Sequence, residues 1–399
     1  MTVTLHDVAR EAGVSYATAS RALNGSDRSV RAENVARVRE AAARLGYTPH
    51  VSAQAIARGS SNTVALVVGA VDDPYFASIA DGVAEGAAAA GLTLTAAVTD
   101  RSPDMGLHIV RTLRGRRPRV ILIAGSRADD DGVYAALAEE LDQYRRAGGR
   151  VALLSSNDLS FPTLAVDHYG GAFRLAQALA GLGYRRFAVL HGDDRIRMSH
   201  ERRRGFIDGL RRGGIEVGPQ HVIAADLNRD GGHRATTALL NGHAFDGPGN
   251  HVSPQRSSHT PPGHSNQTSP EHSSHTSSGH SSHAPTGPAS AYLSDHSSAG
   301  LGGRLGSTGG LEAIFAVNDV MAIGAMTALR EAGLRPGRDV AVAGFDDIDA
   351  ARDVTPTLTS VRVPLRDLGR RAVELALAGE PGVIEVPVEV VLRDSTPPR

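Results

Sequence analysis

From residue 63 onward the chain alternates short, uninterrupted apolar runs with longer stretches of helical periodicity, which limits its fold class more than any other feature. The runs Val64–Val68, Leu92–Ala97, Val120–Ala124 and Val151–Leu154 predict strands, with helices expected over 75–90, 103–114 and 132–147. A second series starts near Asp167, with helices expected over 169–181, 201–212 and 231–241 and strands at Phe187–Leu190 and His221–Ile223. It resumes with strands at Ala313–Val317 and Val340–Ala343 around a helix over 319–331. Apolar strands joined through helices form parallel sheets covered on both sides. Two such series predict an α/β domain of two lobes, with ligands expected off the carboxyl ends of the strands.

The first two dozen residues follow a different rule. Thr4 and Asp7 have the spacing of a helix N-cap and its acidic partner, and Val8, Ala9 and Ala12 share one helical face. Gly13 stops that helix, because a left-handed C-cap residue costs least as glycine. Ser15 can cap a second helix that turns Ala19, Ala22 and Leu23 inward and Tyr16, Ala17, Ser20 and Arg21 outward. Small residues beside an exposed arginine suit a helix-turn-helix whose second helix enters a major groove; an ordinary surface hairpin of helices is the other reading. A third helix is expected over Arg31–Leu45, with Val35, Val38, Ala42 and Leu45 covering the first two, and Gly46 ends it. Residues 51–59 are helix-permissive but too short for a helix stable alone, and Ser60-Ser61-Asn62 reads as a linker.

At 399 residues the chain supports more than one domain, and its 41% hydrophobic content supplies real cores. The net charge of −1 is no polycation's, although residues 1–62 carry eight Arg against five acidic residues. All basic residues are arginine, which reads as GC-rich coding and not as a device. Zero Cys excludes disulfides, thiolate zinc sites and cysteine nucleophiles. No signal-peptide pattern opens the chain and no apolar run approaches a membrane span, so a cytoplasmic protein without membrane contact is expected.

Residues 3–59 resemble the headpiece and hinge of the LacI/GalR family of transcriptional repressors. The matching residues are Asp7-Val8-Ala9, Ala12-Gly13-Val14-Ser15, Thr18, Ser20-Arg21, Leu23-Asn24, Leu45-Gly46-Tyr47-Thr48-Pro49 and the pair Ala53 and Ile56. The two α/β series resemble the family's effector domain, shaped like a periplasmic sugar-binding protein, so the likeness covers 3–242 and 311–392. It implies an all-α helix-turn-helix headpiece over 1–50, a hinge helix and linker over 51–62, and a two-lobed effector-binding and dimerisation domain over 63–392. The implied function is ligand-responsive repression: a homodimer grips a palindromic operator in double-stranded DNA, each headpiece reading a half-site. A small polar effector, sugar or sugar-like, would move the lobes, part the two hinges and melt them; corepression uses the same parts with opposite sign. No cofactor is expected, and the tail lacks the heptads of a coiled-coil tetramer.

The resemblance puts Tyr16, Ala17 and Arg21 at base-reading positions. Arg21 matches the O6 and N7 acceptors of guanine, whereas Ser15, Thr18, Ser20 and Asn24 are short polar groups suited to phosphates. Ile56, with Ala53 beside it, stands where the family carries a minor-groove wedge, usually Leu. Arg31 replaces the usual Ser or Thr cap of the third helix. For the effector the matched positions are Tyr75 and Phe76, Arg202, and Asn318-Asp319, with Ser126, Leu227 and Asp346 as weaker ones. The three matched positions are expected to face the cleft, where an aromatic face stacks a sugar ring and charged groups take hydroxyls in pairs. Leu227 replaces a frequent aromatic, which weakens one stacking wall.

Residues 243–310 depart from the family, which has a short loop there. This Gly/Ser/Pro/His-rich tract holds nine of the seventeen His and reads as a disordered, low-complexity insertion. The spacings His272/His275 and His280/His283 allow a transition-metal reading; expansion or a reading-frame disturbance is the bland alternative and is preferred, so no metal is expected. Asp346, Asp347 and Asp349 are adjacent and fall on different faces, which argues against a metal cluster, and nothing suggests an enzyme.

Overall fold

The structure, a computed structural model, describes residues 3–24, 30–48, 61–125, 131–154, 160–242 and 310–399. The hinge and the 243–309 part of the insertion therefore lie outside the described residues. Three helices open the chain: α1 (Leu5–Glu11), α2 (Tyr16–Asn24) and α3 (Ala32–Leu45). Thr4 and Asp7 form the expected capping box, and Gly13 and Gly46 take the left-handed conformation with φ of 64° and 63°. The Ser15 hydroxyl accepts from the Thr18 N–H at 3.1 Å, which starts α2. Arg31 indeed caps α3 with its backbone alone, making no side-chain cap bond. Val8, Ala12, Ala19, Val38 and Ala41 form a small separate core, and the Arg37 guanidinium ties α3 to the Ala12 carbonyl in the turn.

The first lobe contains β1 (Ser61–Val68), α4 (Pro74–Ala89), β2 (Thr93–Val98), α5 (Pro103–Arg116), β3 (Pro118–Ala124), α6 (Asp131–Arg146), β4 (Arg150–Leu154) and β5 (Thr163–Val166). Strand β1 begins at Ser61, inside the stretch expected as linker. The second lobe contains α7 (His168–Gly181), β6 (Phe187–His191), α8 (Arg197–Arg212), β7 (Val222–Ala224), α9 (Arg229–Leu240), β8 (Ala313–Ala316), α10 (Asp319–Glu331) and β9 (Ala341–Ala343). The chain then makes α11 (Ala350–Asp353), β10 (Ser360–Arg362), α12 (Leu365–Ala378), β11 (Val383–Val386) and β12 (Glu389–Val391).

Both main sheets are parallel, in the orders β11-β5-β4-β3-β1-β2 and β7-β6-β8-β9. The alternation along β1 explains the layers. Val64, Leu66 and Val68 join the core beneath α4 and α12, while Ala65 and Val67 join a second core with Val110 and Leu141 of α5 and α6. Helix α12 returns to the first lobe, and at its crossing with α4 glycine is required. A Cβ on Gly369 would lie 2.1 Å from the Ile79 carbonyl oxygen, and one on Gly82 would lie 1.8 Å from that of Arg366. Strand β11 then adds itself to β5, and β10 pairs with β12 in an antiparallel ribbon. Packing runs past residue 392 to the last residue, where the Arg399 N–H donates to the Leu182 carbonyl at 2.9 Å. Among the described residues no helix is long and apolar enough to cross a membrane.

Candidate functional site

In each sheet the strand order reverses direction, between β1 and β3 and between β6 and β8, and such switch points open a crevice at the carboxyl ends of the strands. A cavity of about 200 Å³ lies there, reached by Val68 and Gly69 at the end of β1, Ala124 and Gly125 at the end of β3, and Asn318 after β8. Of the expected effector residues, Tyr75, Phe76, Arg202, Leu227, Asn318 and Asp346 all line it. Ser126 lies outside the described residues.

Asp319 does not line the cavity as described, against the expectation that it faces the cleft. It is fully buried, with one carboxylate oxygen accepting from the Ile348 N–H at 2.9 Å and the other from the Ser360 hydroxyl at 2.6 Å. Both acceptors face inward, to the chain that leads out of the second lobe. Burial, with the Asp346 charge nearby, pushes its carboxyl well above the usual range. Asn318 is the cap of α10, accepting from the Met321 N–H at 3.0 Å, and its amide reaches the Leu227 carbonyl at 3.4 Å. Leu227 itself is buried and leaves no room for a side chain at Gly192, so this wall of the cavity is aliphatic.

Arg202 is the hub. Helix α8 starts at Arg197, four residues before the expected helix over 201–212, and so Arg202 sits in its second turn and not at its start. Its guanidinium is 1% exposed and lies 3.8 Å over the Phe345 ring. Nη1 donates to the Val317 carbonyl at 2.7 Å, Nη2 to Asp346 Oδ1 at 2.7 Å, and Nε to His168 Nδ1 at 3.2 Å. Asp346 is held at a positive φ of 113°, its N–H donating to the Val361 carbonyl and its carbonyl accepting from the Val363 N–H. Burial raises its carboxyl to about 7, against the opposing pull of Arg202. Asp347 turns the other way, to Arg362 at 2.7 Å and Arg393. Burial would raise it, but these two guanidiniums hold it below the usual range.

Among the lining residues that the sequence reading missed are His168 and Asp73. His168 opens α7 at the point where the chain first leaves β5, and burial and the Arg202 charge both hold its imidazole in the neutral form. Asp73 caps α4, accepting from the Tyr75 N–H at 3.0 Å, and pairs with Arg101 at 3.0 Å. Burial pushes the Asp73 carboxyl up. Position alone was the available signal: His168 and Asp73 both sit at the junction of a strand and a helix.

On the headpiece, Ser15, Tyr16, Ala17 and Arg21 are exposed and Thr18 and Ser20 half-buried, so the expected outward face is the observed one. The Tyr16 ring stacks on His6, with centroids 4.4 Å apart. The side chain of Asn24, and all of Ala53 and Ile56, lie outside the described residues.

This arrangement has relatives. Residues 4–50 match the model of bacterial regulatory proteins of the lacI family, and 61–249 that of periplasmic binding proteins and the sugar binding domain of the LacI family. The chain belongs to the LacI family. Residues 273–396 also match a periplasmic binding protein-like domain. The Escherichia coli transcriptional repressor CytR is 26% identical over 375 residues, covering 94% of this chain and 89% of CytR. A complex of the transcriptional regulator CelR with cellobiose is similar at 25% identity and a TM-score of 0.60, covering 98% of this chain and 99% of CelR. The Lac repressor dimer, bound to operator and an anti-inducer, shares the fold at a TM-score of 0.72 and 23% identity, with each chain covered completely at 100%. This LacI-family chain is a DNA-binding transcriptional regulator with a ligand-binding domain.

Proposed function

We propose that the protein is a repressor that grips a palindromic operator as a homodimer in the cytoplasm and yields it or holds it in response to a neutral sugar. Residues 1–50 act as the headpiece, 51–62 as hinge and linker, and 63–392 as the effector-binding and dimerisation domain, with 243–310 as an inserted tract. Arg21 reads a base edge with Tyr16 and Ala17 beside it; Ser15, Thr18, Ser20 and Asn24 meet the backbone; Ala53 and Ile56 enter the minor groove. The effector sits against Tyr75, Phe76, Ser126, Arg202, Leu227, Asn318 and Asp346, with Asp319 supporting the site from behind.

One observation supports the sugar above other ligands. The ionisable groups of the cavity pair among themselves, Arg202 with Asp346 and Arg101 with Asp73, beside the edge-to-face rings of Tyr75 and Phe76. An anion would find each cation already matched, whereas a neutral ring finds an apolar face and fixed polar groups. Cellobiose occupies the related CelR, which agrees with this reading. The test is a gel-shift titration of the full chain on random and palindromic duplexes at low salt, with and without neutral sugars. Binding that prefers palindromes and changes with one sugar is expected, and the direction of change separates induction from corepression. Failure to bind any duplex at low salt would falsify the repressor reading.

A further inference from the structure

The first sheet has a cationic end. Arg111 and Arg114 of α5 share Glu140, and Arg145 and Arg146 of α6 share Asp142. Arg116, Arg117 and Arg119 are exposed, and none of their side chains has a hydrogen-bond or ion-pair partner among the described residues. Arg150, exposed and unpaired in the same sense, opens β4 beside Val120 of β3. All six strands of this sheet are parallel, so their openings share one end of it. Residues 61–62, 90–92, 116–119, 147–150, 160–162 and 379–382 make up those openings and hold these arginines with a single carboxylate, Glu380. The carboxyl end of α5 favours a cation in its last turn, which Arg114 and Arg116 supply. Arg119 and Arg150 lie on strands, where no helix dipole accounts for them.

This end is also where the chain from the headpiece enters the lobe. Arg117 is left-handed at φ 49°, and its carbonyl accepts from the Ser61 N–H at 2.7 Å and the Ser61 hydroxyl at 3.1 Å. The turn is thereby fixed to the first residue of β1. Even fully extended, the chain from Thr48 to Ser61 reaches no more than about 45 Å, so DNA held by α2 stays at high local concentration around these arginines. We infer that Arg116, Arg117, Arg119 and Arg150 form a phosphate-contacting surface, with which the first lobe itself holds the backbone of DNA bound by the headpiece. Each planar guanidinium matches a phosphate, and each contact adds affinity without reading sequence. An acidic protein offers the same charge, but the headpiece does not tether it here.

The test uses the full chain and a long random-sequence duplex, with affinity followed by fluorescence anisotropy between about 50 and 200 mM salt. Arg116→Gln with Arg119→Gln is compared with Arg212→Gln plus Arg338→Gln, which removes the same charge from exposed, unpaired side chains of the second lobe. The first pair should bind about tenfold or more weakly, with the slope of log affinity against log salt shallower by about 1–2. The second pair should change that slope by less than about 0.5. Equal losses from the two pairs would reduce the effect to net charge and overturn the proposal. A first pair that weakens binding to polyglutamate but not to DNA would assign the surface to an acidic protein and overturn it as well. The chain has no Cys, so Arg119→Cys carries a single iron-chelate cleavage reagent. Strand breaks in the bound duplex are expected from it, and none from the same reagent at Arg338→Cys. No breaks from Arg119→Cys would mean that these arginines act on the hinge and not on DNA. If the wild type binds DNA and the first pair leaves its affinity unchanged, the surface is wrong and the repressor reading stands. If the wild type binds no duplex, both fall together.

Discussion

Two arginines define the two working regions of this molecule, and they are used in opposite ways. Arg21 stands exposed on α2, with no hydrogen-bond or ion-pair partner among the described residues. Arg202 is 1% exposed and has donated to His168, Val317 and Asp346. A guanidinium in water can exchange that water for a base edge, so the exposed Arg21 suits the reading role proposed for it. A buried guanidinium must be matched within the fold, so the cleft uses its arginine to fix other groups. On the function proposed above, the headpiece would recognise with an exposed charge, and the cleft with groups that a buried charge holds still.

That contrast predicts how each region breaks. The largest effect is expected for Arg202→Met, which strands Asp346 and removes the bond to Val317. A loss of about 3 kcal/mol in chemical denaturation is expected, and a loss below about 1 kcal/mol would mean the hub is not structural. Arg21→Ala should cost about 1–3 kcal/mol of operator affinity, concentrated at one base position, while stability changes by less than about 0.5 kcal/mol. A uniform loss over all operator variants would reassign Arg21 to the phosphates. Thr4→Ala removes the hydroxyl of the capping box and should cost the headpiece about 1 kcal/mol with no change in sugar affinity. Calorimetry that showed a changed sugar affinity would mean the two regions are coupled already in the free protein.

A subtler difference is expected in acid. The Asp346 carboxyl sits at about 7 in the folded chain, above its usual value of 3.8. Between those values the folded chain holds a proton that the unfolded chain has lost, so this contribution to stability fades as pH rises through the window. His168 has the opposite sign: its depressed value means stability is lost as pH falls below its ordinary value of 6.5. Comparison with Asp346→Asn isolates the carboxyl. The stability of the wild type relative to that variant should fall from about pH 4 to pH 7 and level off above it. A constant difference over that range would place the Asp346 value elsewhere.

The headpiece was legible because its signals are local. Thr4 with Asp7, Gly13, Ser15 and Gly46 each act within a turn or two of themselves, and all behave in the fold as their chemistry requires. The long apolar runs were legible for a similar reason. Strand β5 is four residues long and β11 exposes Val383 and Ile384, so neither carries the pattern of a buried parallel strand. The cleft depends on distances that no window spans. Arg202 lies 34 residues from His168, 115 from Val317 and 144 from Asp346. Asn318-Asp319 looked like a ligand pair, but the demand for buried partners at Ile348 and Ser360 took the Asp319 carboxylate away from the cavity.

The return of α12 and β11 to the first sheet has a consequence for how the protein is made. Every strand of the second sheet lies between residues 187 and 343, whereas the first sheet needs strands from 61–166 and from 383–386. As the chain leaves the ribosome, every strand of the second sheet has been made while the first sheet still lacks β11 and exposes the face that α12 will cover. The headpiece, emerging earliest, can fold on its own core long before the lobes behind it close. A nascent chain thus presents its first three helices before its cleft exists, and the glycine crossing at Gly82 and Gly369 is the close approach by which α12 later seats on the first lobe.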